Sequence, residues 1–521
     1  MESIKELLDY AADTYKDRPA VRYLAEEKII TKTFREVKRD SAAVSNSIRA
    51  LGQGRMHIAI MGRTSYLWWV SFLGIVNSAN VAVPIDINLS LGDIVRELSF
   101  ADVTMLMHDK AYRAEAEEIK RSCPQIKYCV ELGDSPGKSG ASSSDGEPPP
   151  ELSLADFMRN REESSYPLDK DALCMLMFTS GTSGKSKGVM LTHRGLAVNA
   201  RICSAQTGWT GEDTSILAVL PIYHIYCLSV NFLWALCLGV CLNINDDLVN
   251  IIPNARRFQA NTIIMVPMIL EFLNSQLRLT AKKHPHLSKR ESAEDLLDRS
   301  IKNFVVGGAL VKAELKHEIA AYGIEINEGY GMTESSCNIA ETYRLEPRKG
   351  SVGKVVAGLE AKIVAGELWV KGETVMLGYY KDTEKTAETI AGGWLKTGDL
   401  GYFDEDGYLY LTGRKNALIV LSNGENISPE QLENQVKEGE IVREVMVYQK
   451  GDRIIAEIFP DSVYVREQNI ADISRALQEL IQAVNRRNPL YKHIHELIVR
   501  KTEFEKTTSK KIKRRQVPLS C

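Results

Sequence analysis

Residues 178–193 read FTSGTSGKSKGVMLTH, and the prediction of the fold starts from this stretch. It follows the apolar run Leu173–Phe178, which is typical of a buried strand. A strand, a loop rich in glycine, serine and threonine, and then a helix form a place where backbone N–H groups converge on an anion. The stretch therefore predicts a nucleotide triphosphate site. Its predicted contacts are Thr179, Ser180, Gly181, Thr182, Ser183, Gly184, Lys185 and Lys187.

Two other interpretations of this stretch need to be considered. The Walker A motif, G-x-x-x-x-G-K-[ST], matches Gly184-Lys185-Ser186 in its second half. Its first glycine would fall at Thr179, so that motif fails by one residue. The other interpretation is a flexible polar loop between a strand and a helix. Two motifs further along the chain favour the phosphate site.

Length and composition limit the class of protein. A chain of 521 residues is too long for one compact core, which predicts two or more domains. Its hydrophobic content of 44% and charged content of 26% are those of an ordinary soluble protein. The net charge of -3 gives no general attraction to nucleic acid, so no nucleic-acid partner is expected.

The cysteines and the N-terminus indicate the compartment. The 9 cysteines are scattered and odd in number, which argues against a disulfide framework. Cys237 and Cys241 are the closest pair, but no second Cys/His pair is near enough in sequence to complete a metal site. The N-terminal residues show the pattern of an amphipathic helix, not that of a signal peptide. A cytoplasmic location is therefore expected.

The segment 214–245 contains no Asp, Glu, Lys or Arg and is long enough to cross a bilayer. Pro221, His224 and several polar residues interrupt it. We interpret SILAVLP as a buried strand and the following residues as a core helix, so no transmembrane segment is expected.

The rest of the chain predicts two domains that differ in their pattern of strands and helices. Residues 1–415 alternate strand and helix patterns and predict a large α/β domain of βα sheets, with a small β subdomain after about residue 350. Residues 416–521 predict a small α+β domain. There, Ser428 is a predicted helix cap, and two strands are predicted to pair as a hairpin across Gly451. Residues 133–150 predict an exposed loop.

Three motifs together identify a family resemblance. They are TSGTSGKSKG at 179–188, GYGMTE at 329–334 and GWLKTGDLGYFDEDGYLYLTGR at 393–414. In this order the chain resembles the adenylate-forming (AMP-binding) superfamily over nearly its whole length. The stretch YLYLTGRKNALIVLSNGENISPEQLE and the closing KTTSKKIKR are most similar to bacterial long-chain fatty acyl-CoA ligases.

The resemblance implies an enzyme that works in two steps. A carboxylate attacks the α-phosphorus of ATP and forms an acyl-adenylate and pyrophosphate. A thiol, usually that of coenzyme A, then displaces AMP and forms a thioester. The first step requires charge to be offset at a crowded phosphorus, and Mg²⁺ is the implied cation.

The resemblance also implies roles for individual residues. The loop 179–187 would hold the β- and γ-phosphates, Thr333 would donate to the α-phosphate, and Glu334 would bind Mg²⁺. Asp399 and Arg414 would bracket the ribose hydroxyls. Adenine would stack on Tyr330 beside Gly331, against a wall formed by Gly307, Gly308 and Ala309.

Three further positions would serve the two half-reactions. Lys511 would contact both the carboxylate and the transferring phosphate. His224 would gate the acyl pocket and the thiol tunnel. The small domain would be mobile, rotating between the steps so that Lys511 leaves and Gly424 reaches the tunnel. The chain departs from the family pattern at Lys510, where glycine is common, and at Asn416 in the hinge.

Three functions are weighed. The first is an acyl-CoA synthetase that activates a carboxylic acid, a fatty acid in our interpretation, and uses coenzyme A as acceptor. The second is a freestanding adenylation enzyme that loads an aromatic, amino or fatty acid onto the phosphopantetheine thiol of a carrier protein. The third is a nucleotide-binding or interaction protein without catalysis, and the matched residues argue against it. Without its context, the basic run KKIKRR would indicate a solvated tail or a nucleic-acid patch.

Overall fold

The computed structural model describes residues 1–52, 54–133, 151–159, 167–180, 186–309, 311–415, 419–420, 426–451, 453–506 and 512. The chain divides into two compact units. The first contains Met1–Ala361 and Val370–Leu395, and the second contains Lys362–Trp369 and Lys396–Cys521. The α/β class is confirmed, whereas the predicted boundary at 415 stays a prediction. Most of the predicted loop 133–150 lies outside the described residues.

The strands are numbered in chain order. They are β1 (Pro19–Ala25), β2 (Lys28–Thr33), β3 (His57–Met61), β4 (Val81–Ile85), β5 (Val103–Asp109), β6 (Tyr128–Leu132), β7 (Glu151–Ser153), β8 (Leu173–Ser180), β9 (Ser186–Thr192), β10 (Ser215–Ala218), β11 (Cys241–Ile244), β12 (Thr262–Met265), β13 (Asn303–Gly307), β14 (Glu325–Met332), β15 (Cys337–Glu341), β16 (Lys354–Val355), β17 (Glu360–Val364), β18 (Glu367–Lys371), β19 (Gly378–Tyr379), β20 (Ile390–Ala391), β21 (Trp394–Phe403), β22 (Leu409–Arg414), β23 (Ile419–Val420), β24 (Asn426–Ile427), β25 (Val442–Lys450), β26 (Arg453–Pro460) and β27 (Glu496–Val499).

The α-helices are α1 (Ile4–Tyr15), α2 (Phe34–Ala50), α3 (Tyr66–Asn77), α4 (Leu91–Phe100), α5 (Arg113–Ser122), α6 (Leu154–Phe157), α7 (His193–Thr207), α8 (Ile225–Cys227), α9 (Trp234–Leu238), α10 (Ile251–Phe258), α11 (Pro267–Lys283), α12 (Lys289–Leu297), α13 (Ala313–Ala320), α14 (Thr383–Thr389), α15 (Pro429–Lys437), α16 (Ser462–Glu467) and α17 (Ile473–Arg486). A π-helical turn, Leu228–Leu233, joins α8 to α9.

Two large sheets build the first unit. The 8-stranded sheet has the order β19-β9-β8-β4-β3-β5-β6-β7, and the 9-stranded sheet has the order β16-β15-β14-β13-β12-β10-β11-β1-β2. Pairs in the middle of both sheets are parallel, as between β3 and β4 and between β12 and β13. Parallel strands must be connected by crossovers, which explains the strand and helix alternation in the sequence.

One predicted element was wrong. A helix was predicted directly after the phosphate loop, but the chain first forms β9, which pairs antiparallel with β8. Val189 and Leu191 of β9 are fully buried at alternate positions, because strand pairing places both side chains in the core. The helix α7 begins only at His193, where the Thr192 hydroxyl accepts the N–H of Gly195 at 2.9 Å.

The uncharged segment is a core element, as predicted. Phe232, Leu233 and Trp234 are fully buried in the helical stretch that follows Pro221. Among the residues that the structure describes, no helix combines the length and the apolar character needed to cross a membrane.

The second unit contains an open sheet and a small α+β core. β22 pairs antiparallel with β21, and β25, β26 and β27 form a 3-stranded sheet. The predicted hairpin is confirmed, with Lys450 opposite Arg453. So is the predicted cap, since the Ser428 hydroxyl accepts the N–H of Gln431 at 3.3 Å.

Glu341, on β15, is expected to make stability depend on pH. It is 1% exposed, and burial raises its pKa to about 8, opposed by a hydrogen bond from the Asn338 amide at 3.0 Å. The folded chain therefore binds a proton that the unfolded chain, with a carboxyl pKa near 4.5, releases first. The resulting stabilisation is complete below the unfolded pKa. It declines by up to about 1.4 kcal/mol per pH unit as pH rises toward the folded pKa.

The variant Glu341→Gln cannot titrate, so it isolates this effect. We expect the melting temperature of the wild type to fall relative to that of the variant between about pH 5 and pH 8. A difference in melting temperature that stays constant over this interval would contradict the buried, protonated carboxyl.

Candidate active site

The hairpin of β8 and β9 carries the predicted phosphate loop. Thr179 lies opposite Lys187, one residue pair before the connecting loop. The backbone of Ser180 belongs to β8, whereas Gly181, Thr182, Ser183, Gly184 and Lys185 lie outside the described residues. Their contacts with phosphate therefore stay predictions.

Glu334, the predicted metal ligand, is tied to this hairpin through a tyrosine. It lies in the 3₁₀ turn Thr333–Ser335, directly after β14. The hydroxyl of Tyr379 donates to Glu334 Oε1 at 2.9 Å, and Lys187 Nζ lies 5.2 Å from the centre of the Tyr379 ring. Burial and the Glu334 carboxylate raise the pKa of Tyr379, so its hydroxyl remains a donor at neutral pH.

The donor set fits a magnesium ion held together with phosphate. Among the described residues no group of three or more His, Cys, Asp or Glu side chains could hold a metal by itself. Mg²⁺ is commonly bound by one or two carboxylates together with substrate phosphates, and it does not need a full protein cage. A single carboxylate, Glu334, beside the phosphate-loop hairpin matches that requirement.

The predicted adenine wall lies at the ends of neighbouring strands. Gly307 ends β13 and pairs with Gly329, one residue before Tyr330 on β14. A Cβ on Gly307 would lie 2.7 Å from Tyr226 Cζ, so only glycine fits against that ring. Gly308 and Ala309 follow the strand and are exposed.

Gly331 is required by the backbone. The register of β14 against β15 shifts between Tyr330 and Gly331. A Cβ on Gly331 would lie 1.7 Å from the carbonyl oxygen of Cys337, which no side chain can accommodate. The bulge therefore fixes the chain just before Thr333 and Glu334.

His224, the predicted gate, lies beside a carboxylate and a tyrosine. Its Nε2 lies 4.0 Å from Asp86 Oδ2, and its ring centre lies 4.9 Å from that of Tyr223. Burial lowers the pKa of His224, opposed by the Asp86 carboxylate. Among the described residues, Nε2 has no hydrogen-bond partner. Asp86 directly follows β4 and gave no signal in the sequence.

The predicted ribose pair is formed within the second unit. Asp399 and Arg414 are opposite each other on β21 and β22, and Arg414 Nε lies 2.6 Å from Asp399 Oδ1. Asp399 is 5% exposed, while 44% of the Arg414 side chain is accessible. The ion pair thus orients a buried carboxylate. Gly424, Asn416 and Lys511 lie outside the described residues, and their roles stay predictions.

Comparison with known proteins agrees with these motifs. The family model "AMP-binding enzyme" matches residues 8–380, and "AMP-binding enzyme C-terminal domain" matches residues 416–518. A long-chain-fatty-acid–CoA ligase of Mycobacterium bovis is 26% identical over 82% of this chain and 77% of its own length. A 2-succinylbenzoate–CoA ligase of Bacillus cereus is 27% identical over 87% of this chain and 86% of its own.

A solved structure shares the fold. The o-succinylbenzoate coenzyme A synthetase of Bacillus subtilis, in complex with ATP and a magnesium ion, superposes with a TM-score of 0.77. The match covers 98% of both chains at 24% identity. The family models and the named CoA ligases confirm two predictions from the sequence, the resemblance to adenylate-forming enzymes and the enzyme class. The chain belongs to the AMP-binding enzyme family and is an adenylate-forming enzyme of the acyl-CoA ligase type.

Proposed function

We propose that this chain is an ATP-dependent acid–thiol ligase that activates a fatty acid and transfers it to coenzyme A. The observation that carries the proposal is the linked set of Glu334, Tyr379 and Lys187 at the hairpin of the phosphate loop. A carboxylate, which suits a hard cation, and an ammonium, which suits a phosphate, contact the same tyrosine, and this supports a site for ATP and Mg²⁺.

In the first step a carboxylate oxygen forms a bond to the α-phosphorus and the bond to the β-phosphate oxygen breaks. Pyrophosphate leaves with that electron pair. A Mg²⁺ ion held by Glu334 would offset the charge of the β- and γ-phosphates. The loop 179–187 would position those phosphates, Thr333 would donate to the α-phosphate, and Lys511 would neutralise charge between the two reacting anions.

The nucleoside would be held by the remaining residues. Tyr330 would stack on adenine beside the backbone of Gly307. Asp399 would accept hydrogen bonds from the ribose hydroxyls, and Arg414 would donate to them. The buried position of Asp399 supports this role, because hydrogen bonds to a charged acceptor are stronger away from water.

In the second step the thiol sulfur bonds to the acyl carbon, and AMP leaves while the thiol proton is released. The small domain would rotate, which would withdraw Lys511 and bring Gly424 to the thiol tunnel. His224 would stand at the junction of this tunnel and the acyl pocket. Burial lowers the pKa of His224 and so disfavours a charged ring, which would trap the substrate carboxylate.

A fatty acid is proposed because of the uncharged helical stretch after Pro221. Phe232, Leu233 and Leu236 are fully buried there, and one relative that matches 82% of this chain is a long-chain-fatty-acid–CoA ligase. An apolar wall favours a ligand with an apolar tail.

The acid is tested by measuring acyl-CoA formation across saturated acids of increasing length, with benzoic and succinylbenzoic acids for comparison. We expect kcat/KM to rise by about fourfold for each added methylene until the pocket is full, since each buried methylene contributes about 0.8 kcal/mol. A clear preference for an aromatic acid would overturn the fatty-acid assignment. Thioester formed only on a phosphopantetheinylated carrier protein, and not on free coenzyme A, would overturn the acceptor.

A further inference from the structure

Tyr379 joins two predicted parts of the ATP site that are far apart in sequence. Its hydroxyl donates to Glu334 Oε1 at 2.9 Å, across 45 residues of chain. Its ring lies under the ammonium of Lys187, whose Nζ is 5.2 Å from the ring centre. Tyr379 is 6% exposed, and Glu334 and Lys187 are half-buried.

The backbone around Tyr379 makes the same two connections. The N–H of Met376 donates to the carbonyl oxygen of Glu334 at 2.9 Å. The N–H of Leu377 donates to Met190 and that of Tyr380 to Gly188, at 2.9 and 2.8 Å. Strand β19 thus extends the hairpin sheet and contacts the 3₁₀ turn that carries Glu334.

Tyr379 itself is held in one position. Its N–H donates to the Thr386 hydroxyl at 2.8 Å, and Thr386 in turn donates to the Asp382 carbonyl at 2.7 Å. The preceding Gly378 has φ +141, and a Cβ there would lie 2.5 Å from Thr386 Cγ2. Only glycine permits this close approach of α14 to the tyrosine.

We propose that Tyr379 is a positioning residue that orients the Glu334 carboxylate toward the metal ion and fixes its place relative to the hairpin of β8 and β9. This inference rests on the proposed function. A hydrogen bond to one oxygen of a metal-binding carboxylate sets which lone pairs face the cation. The Lys187 ammonium over the same ring sets where positive charge meets the phosphates.

Mn²⁺ binding tests this role without turnover. The free-ion signal in electron paramagnetic resonance, corrected by the same titration with ATP and no protein, gives the affinity of the protein for Mn²⁺ in the presence of ATP and the absence of any acid. We expect Tyr379→Phe, which keeps the ring, to weaken Mn²⁺ binding by about 10- to 100-fold. ATP affinity measured in EDTA should change by less than about twofold, since the hydroxyl acts only through the carboxylate.

Tyr380→Phe is the matched control. The Tyr380 hydroxyl donates to Asp102 Oδ2 at 2.7 Å, in an exposed contact away from Glu334. Removing it should leave Mn²⁺ binding unchanged. Equal Mn²⁺ affinity in the wild type and Tyr379→Phe would overturn the inference, and so would an equal loss in both tyrosine variants.

A double-mutant cycle separates positioning from a structural effect. In a Glu334→Gln background, Tyr379→Phe should cause no further loss of Mn²⁺ affinity, because the carboxylate it acts through is absent. Additive losses would mean that Tyr379 only supports the fold. Absence of ATP-dependent Mn²⁺ binding in the wild type would overturn the proposed function itself, whereas normal binding with no effect of Tyr379→Phe would overturn this inference alone.

Discussion

Replacing Lys511 with alanine is expected to slow acid-dependent exchange of pyrophosphate into ATP by about 100- to 1,000-fold. The reason is electrostatic. Two anions, the carboxylate and the α-phosphate, must approach each other, and a compact ammonium between them offsets charge that increases in the transition state. ATP affinity should remain within about twofold of the wild type, because other residues are proposed to hold the nucleotide.

Two comparisons make the Lys511 experiment specific. Lys510→Ala removes a neighbouring charge and is expected to keep exchange close to the wild-type rate. When acyl-adenylate is supplied together with coenzyme A, Lys511→Ala should form thioester at a rate near that of the wild type, because the proposed rotation withdraws this lysine before the second step. An equal loss in both half-reactions would argue against rotation, and unchanged exchange would remove Lys511 from the chemistry.

Asp399→Asn is expected to raise the KM for ATP by about 10- to 100-fold, the equivalent of about 1.5 to 3 kcal/mol for hydrogen bonds to a charged group. The buried carboxylate is held by Arg414 at 2.6 Å, so the substitution removes a charged acceptor that is fixed in position. The exposed Glu405, at the turn between β21 and β22, provides the control variant Glu405→Gln, for which the KM should not change.

Removing the ribose hydroxyls from ATP tests the same contacts from the side of the nucleotide. With 2′,3′-dideoxy-ATP the wild type should lose at least the factor in kcat/KM that Asp399→Asn loses with ATP, because the bonds from Arg414 are lost as well. The variant should discriminate less between the two nucleotides than the wild type does, since the hydrogen bonds that Asp399 accepts are already absent. Full discrimination by the variant would show that Asp399 does not contact the ribose.

Much of the secondary structure could be predicted because it follows from local patterns. Ser428 and Pro429 mark the start of α15, and the Gly451 turn brings β25 and β26 together. In each case the residues that decide the structure are adjacent in sequence. The uncharged segment was also interpreted correctly, because Pro221 and the polar residues that follow it interrupt the apolar sequence.

The strand β9 could not be recognised in this way. Its seven residues contain only a short apolar run, and their partner strands, β8 on one side and β19 on the other, decide that they are extended. β19 lies far along the chain, at Gly378–Tyr379. Tertiary pairing therefore overrode the expectation of a helix directly after the loop.

Tertiary contacts also explain why sequence analysis missed two residues of the candidate site. Motifs identified Glu334, Asp399 and Arg414 because each lies in a stretch shared by the family. Tyr379 contacts Glu334 from 45 residues away, and Asp86 approaches His224 from a different part of the chain. Side chains that orient others through folding leave no pattern of spacing, so they emerge only from the structure.

Oxygen-18 tracing tests the central claim, that an acyl-adenylate forms, most directly. A fatty acid labelled in both carboxyl oxygens is incubated with the enzyme, ATP, Mg²⁺ and coenzyme A. Mass spectrometry then measures how many labelled oxygens each product contains. If the carboxylate attacks the α-phosphorus, AMP carries one labelled oxygen and pyrophosphate carries none. Label in inorganic phosphate together with ADP, or no label in any phosphate product, would contradict the account.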